Sequence, residues 1–150
     1  MKQLIVALAL GALAMGAATK VDVYSKKDVE ALAQKLLQKR TQFASQQLEQ
    51  YGNHYTMLAV RTKTGSSELH EHEADVFVIE SGQATLVTGG RIVSPHTEKA
   101  GEIRGTSIDG GERRQVAEGD IIHIPANTPH QLMLENGKPF TYFVVKVTGQ

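Results

Sequence analysis

The residues best suited to chemistry in this chain are its histidines, at positions 54, 70, 72, 96, 123 and 130. Two of them form the pair His70-x-His72. On a β-strand, residues i and i+2 point to the same face, so both imidazoles would converge on one point and supply two legs of a metal site. Away from a strand, they are two solvated histidines among the acidic neighbours Glu68, Glu71 and Glu73. The chain has 0 cysteines, which removes thiolate metal sites, cysteine nucleophiles and disulfides. Any metal must be held by imidazole and carboxylate. No nucleophile elbow and no phosphate-cradling glycine loop is present.

The elements that would carry these residues are strands. Runs rich in Val, Ile, Phe and Tyr occur at 55–63, 76–79, 84–87, 121–124, 131–134 and 140–147. Turn signals separate them, among them Ser81-Gly82, Gly89-Gly90, Gly110-Gly111, Gly119-Asp120 and Asn136-Gly137. Short strands at close turn spacing, without helical periodicity between them, indicate an antiparallel sandwich or barrel. Residues 92–111 carry little pattern and read as a long loop with one strand over 103–108. The region before residue 54 differs. Val29, Leu32, Leu36, Leu37, Phe43, Ala44, Leu48 and Tyr51 recur at three- and four-residue steps. Ser25 and Asp28 give a start signal, and Gly52-Asn53 a stop. That spacing predicts an amphipathic helix from residue 26 to about 51, with a break near Thr41, packed on the barrel or on a partner chain.

Two motifs frame the barrel. The first holds Gly65, His70, His72, Asp75 and the strand-closing Gly82; the second holds Gly119, Pro125 and His130. In this order they resemble the motifs of the cupin superfamily: a Gly, His-x-His, a Glu and a Gly, then Gly-x5-Pro-x-Gly-x2-His-x3-Asn; Gly65 is one residue nearer than usual, and the step from His72 to Asp75 is one residue short of the common form. Asn127 stands where the second motif has its inner Gly, and both residues tolerate a positive φ. Leu134 replaces the final Asn. The resemblance covers residues 55–148 and implies an all-β, double-stranded β-helix (jelly-roll) barrel. It implies His70, His72 and His130 as metal ligands. Asp75 falls where the family has its glutamate, one methylene shorter; it is either the fourth ligand or a strand cap, with Glu73 or water in its place.

Three imidazoles and a carboxylate suit a divalent transition metal (Mn, Fe, Ni, Cu or Zn) and do not choose among them. Strand alternation from Asp75 brings Phe77 and Ile79 inward, and from His130 it brings Leu132 and Leu134. The floor beside the metal is then apolar, suited to a small organic ligand with a chelating oxygen. The resemblance implies a metal-dependent enzyme of oxygenase, isomerase or lyase type. A non-catalytic exported binding or sensing module and a structural dimeric barrel are the alternatives. Glu73 and Glu98 are candidate proton-transfer groups that spacing alone does not place.

Bulk properties set the remaining bounds. Lys+Arg and Asp+Glu are both 16, with no basic stripe, so no nucleic-acid partner is expected. Lys2, the apolar run 4–14 and Gly16-Ala17-Ala18 read as a signal peptide over residues 1–18. The run is shorter than the ~20 apolar residues of a membrane-spanning helix. The expected mature protein is exported to the periplasm or beyond, without stable membrane insertion. It then has a helical segment at 19–54, the barrel at 55–148, and homodimer contacts through edge strands and helix.

Overall fold

The computed structural model describes residues 21–135 and 137–150. The expected signal peptide, residues 1–18, lies outside the described residues. Among the described residues, one helix, α1 (Lys26–Leu37), is followed by thirteen strands. These are β1 (Phe43–Gln50), β2 (His54–Arg61), β3 (Ser67–His70), β4 (Glu73–Ser81), β5 (Gln83–Thr88), β6 (Arg91–Val93) and β7 (His96–Lys99). They continue as β8 (Glu102–Gly105), β9 (Ser107–Asp109), β10 (Glu112–Ala117), β11 (Ile121–Ile124), β12 (His130–Met133) and β13 (Phe140–Thr148).

Two antiparallel sheets form the barrel, in strand orders β1-β2-β13-β4-β11 and β10-β5-β12-β3-β8-β7, and β6 pairs with β9 beside them. Alternation supplies the core. Phe77 and Ile79 from β4, Leu86 from β5, Leu132 from β12, and Phe140, Tyr142 and Val144 from β13 meet in one buried cluster, which Leu134 joins just after β12. The strand β2 is covered on both faces. Its Ala59 belongs to that cluster, whereas Leu58 and Val60 turn outward to meet Ala33 and Leu36 of the helix.

The helix is shorter than the spacing predicts. Ser25 and Asp28 do form a capping box, with the Ser25 hydroxyl accepting from the Asp28 amide at 3.2 Å. The helix stops at Leu37, however, and Arg40 takes a positive φ of 55°. Residues 43–50 are strand β1, which pairs with β2 from Phe43↔Arg61 to Gln50↔Tyr55. The steps Phe43, Ala44, Leu48 and Tyr51 fit a helix face in isolation. Ladder pairing with β2 overrides that local preference.

The second difference lies at 92–111, where the expected loop is four short strands, β6 to β9. They are three or four residues long, and β7 is exposed throughout, so no apolar alternation announces them. Gly105 allows the close crossing there: a Cβ at this position would collide with the Ile92 side chain and the Val93 carbonyl.

Leu36 is 1% exposed and fills the space between α1 and β2. Leu36→Ala should therefore lower unfolding free energy by about 2–5 kcal/mol. Urea denaturation followed by circular dichroism reads this; a loss below about 0.5 kcal/mol, the range of ordinary surface substitutions, would mean the helix is not part of the fold.

Candidate metal centre

The centre is built from two cross-strand pairs facing each other across the barrel. In one sheet, His130 of β12 lies opposite Glu68 of β3. In the other, Lys146 of β13 lies opposite Asp75 of β4. His70, two residues beyond Glu68 on the same strand, completes the ring by the period-2 rule. His70, Asp75 and His130 are all less than 5% exposed.

The four candidate donor atoms converge. His70 Nε2 is 3.7 Å from Glu68 Oε2 and 3.4 Å from Asp75 Oδ2. His130 Nε2 is 4.0 Å from Glu68 Oε2 and 3.7 Å from Asp75 Oδ2. A tetrahedral ion with ligands at about 2.0–2.2 Å needs donors separated by roughly 3.3–3.6 Å, so the spacing fits such an ion with a small contraction. Each imidazole is also aimed. His70 Nδ1 bonds to the Glu102 carboxylate at 2.7 and 2.8 Å, and His130 Nδ1 to the Thr128 carbonyl at 3.0 Å. A carbonyl only accepts, so Nδ1 of His130 carries the proton and Nε2 presents a lone pair inward. Holding the outer nitrogen on a carboxylate or carbonyl is how proteins orient metal-binding histidines. His130 Nε2 is buried and has no hydrogen-bond partner among the described residues. The donor set and this orphaned nitrogen both fit a metal ion.

Charge around the centre is paired. Glu68 lies 2.8 Å from Arg61 and 2.9 Å from Arg104. Burial pushes the Glu68 carboxyl up, but Arg61, His130 and Arg104 outweigh it and hold it below the usual carboxylate range. Burial likewise pushes Asp75 up, and the His70 hydrogen bond with the Lys146 charge brings it below its ordinary value. Burial pushes His130 down, more than Glu68 and the Thr128 carbonyl raise it, which keeps it neutral and able to ligate. For His70, burial and Lys146 push down while Asp75 and Glu102 push up, and the carboxylates prevail. Burial raises the Tyr142 hydroxyl to about 12 against the pull of Arg61, so it stays protonated; Arg61 Nε lies 2.8 Å from its oxygen.

A cavity of about 190 Å³ adjoins the donors, lined by Tyr55, Glu68, His70, Asp75, Phe77 and Lys146 among others. Of the apolar floor expected from alternation, Phe77 lines this cavity, whereas Ile79, Leu132 and Leu134 are packed in the core beneath.

The structure places His72 apart from these donors. The strand ends at His70, and Glu71 and His72 form the bend into β4. The i, i+2 rule therefore runs backwards from His70 to Glu68, and His72 is exposed to solvent. A turn contact explains the stop: Asn127, with φ 60°, donates its amide to the His70 carbonyl at 2.8 Å and its side chain to the Glu71 carbonyl at 3.1 Å. Those bonds take the backbone out of the ladder. Glu68, which the motif does not name, stands beside His70 instead, and the spacing carries a signal for it. His72 stands one residue too near Asp75 for the cupin motif; counted from Glu68-x-His70, four residues precede Asp75.

Comparison with known proteins supports the fold. No family model and no curated protein sequence matches the chain. Among solved structures, the chain is similar to a cupin 2 conserved barrel domain protein from Salinispora arenicola, at 20% identity over 70% of this chain and 75% of that one, TM-score 0.50. A Bacillus halodurans protein matches at 16% identity over 89% and 84% of the two chains, TM-score 0.59. The DMSP lyase DddQ from Ruegeria pomeroyi matches at 17% identity, TM-score 0.50, over 71% of this chain, which spans about half (47%) of the lyase's length. The fold is the double-stranded β-helix of the cupins, as the two motifs imply.

Two substitutions separate the arrangements. Glu68→Gln should weaken metal binding roughly tenfold or more, while His72→Ala should leave it within about twofold. Competition with a coloured chelator measures both; the reverse order would restore His72 to the site.

Proposed function

We propose that the protein binds one divalent transition metal through His70, His130, Glu68 and Asp75 and uses it to hold a small organic ligand in the adjoining cavity. The observation that carries this reading is the pair of buried imidazoles, each with Nδ1 tied outward and Nε2 directed at two carboxylates. A metal held by these side chains that expands its coordination beyond four would have room for water or a chelating oxygen from the adjoining cavity. A metal bound there supplies Lewis acidity toward that oxygen.

The chain's own residues add a proton-transfer group, which favours enzyme over passive binding. Glu73 lines the cavity, and the Tyr55 hydroxyl donates to its Oε2 at 3.2 Å. Burial, reinforced by Glu73, pushes the Tyr55 hydroxyl up, so it remains a donor at neutral pH. Its position beside the cavity supports Glu73 as the carboxylate that takes a proton from a bound ligand and returns it, as lyase and isomerase chemistry requires. The other candidate, Glu98, bonds to Arg104 at 3.0 Å and does not line this cavity. The similar Ruegeria pomeroyi protein is a lyase, so the fold accommodates that class.

Elemental mass spectrometry on the purified chain should find near one transition metal per molecule. Folded His70→Ala and His130→Ala variants, checked by circular dichroism, should lose it. A wild-type chain that remains metal-free after reconstitution with Mn, Fe, Ni, Cu and Zn would sink this reading.

A further inference from the structure

Lys146 is the residue of the centre that a metal site alone does not explain. Its Nζ lies 2.7 Å from His70 Nε2 and 2.7 Å from Asp75 Oδ1, and the side chain is largely buried. Register fixes it there, because Lys146 is the direct cross-strand partner of Asp75 on one side and of Tyr55 on the other. A protonated amine has donors only, so at this distance it uses the Nε2 lone pair of His70. That lone pair is the one a metal would need.

Resting on the metal-binding reading above, we infer that Lys146 is a resident cation of the metal-free centre that competes with the metal for His70 and Asp75. The charge distribution gives it this role. Arg61 and Arg104 are both engaged with Glu68, and Arg104 also reaches Glu102 at 3.1 Å. Asp75, 2% exposed, has no arginine beside it among the described residues; Lys146 is its cation. Without either lysine or metal, a buried carboxylate is left with histidine alone, a costly arrangement. With both, an ammonium and a divalent ion crowd one nitrogen, since the metal bonds at about 2.1 Å along the direction that Nζ occupies.

The exit is also visible. Glu73 Oε2 lies 4.0 Å from Nζ and borders the same cavity, so a small rotation of the lysine chain exchanges Asp75 for Glu73. Metal entry and lysine departure are then one event. Lys146 holds the empty centre together and at the same time weakens its hold on metal. It is a positioning residue that sets affinity.

The test is Zn(II) binding by chelator competition, on the full chain, for wild type, Lys146→Met and Lys146→Arg. Methionine keeps much of the length and removes the charge. The expected result is at least tenfold tighter Zn(II) binding by Lys146→Met, no gain in Lys146→Arg, and a lower melting temperature for metal-free Lys146→Met that zinc restores. Binding by Lys146→Met alone, with none by wild type, would also support the competition. Equal or weaker binding by folded Lys146→Met, beside a wild type that binds, would overturn the competition and leave the metal site standing. No binding by any of the three would overturn the metal site itself. Should Lys146→Met not fold, crystals of the wild type with and without zinc decide: Nζ still at hydrogen-bond distance from His70 Nε2 in the zinc form would overturn the proposal.

Discussion

The structure depends on a cluster of carboxylates held inside one small barrel, Asp75 and Glu102 buried and Glu68 half-buried. Removing an ion from water costs several kcal/mol even after relaxation, and only close, well-oriented partners offset it. The partners come from five strands: Arg61 from β2, His70 from β3, Arg104 from β8, His130 from β12 and Lys146 from β13. A set of apolar side chains of equal volume would hold two sheets together at least as well. Stability is therefore a poor account of this cluster, which is the ground for the proposed binding of a further charged species.

The same electrostatics decide which species. With the histidines neutral, Arg61, Lys99, Arg104 and Lys146 stand against Glu68, Glu73, Asp75 and Glu102 around the cavity, so its charges are balanced. Balance favours exchange of one cation for another over simple addition. Local pairing also explains why Glu68 and Asp75 lie below their usual range despite burial: Glu68 faces two arginines, and Asp75 has a His70 hydrogen bond and the Lys146 charge.

Much of this was legible in the sequence, and the failures share one cause. The apolar strands β2, β4, β5, β11, β12 and β13 lie where runs of Val, Ile, Phe and Tyr place them, because one buried face imposes alternation. Motif spacing singles out His130 and Asp75, which the structure brings within 3.7 Å of each other, and Asn127 does take the positive φ that its position in the second motif requires. The misreadings arise where tertiary contact overrules a local pattern. His70-x-His72 is a pair only if the strand continues, and the bonds from Asn127, more than fifty residues later, end it. Residues 43–50 have helical spacing until β2 offers a ladder. Lys146 sits in a run that reads as ordinary strand, Phe140–Thr148, and only the register of β13 against β4 shows that its side chain meets Asp75.

That misread segment, β1, changes how the cavity is bounded. As a helix, residues 43–50 would have lain outside the barrel beside α1. As an edge strand they bring Phe43 over the Arg61 guanidinium, 4.4 Å from carbon to ring centroid, and Phe43 lines the same cavity as the metal-centre residues. Arg61 in turn spans Tyr142 and Glu68. An aromatic ring on one face of the guanidinium, a phenol at its Nε and a carboxylate at its Nη2 leave it little freedom, so Glu68 is held from behind while its second oxygen faces the histidines. The N-terminal segment thus belongs to the site: it fixes the arginine that fixes the carboxylate, and a chain that began at β2 would keep the donor residues and lose part of what aims them.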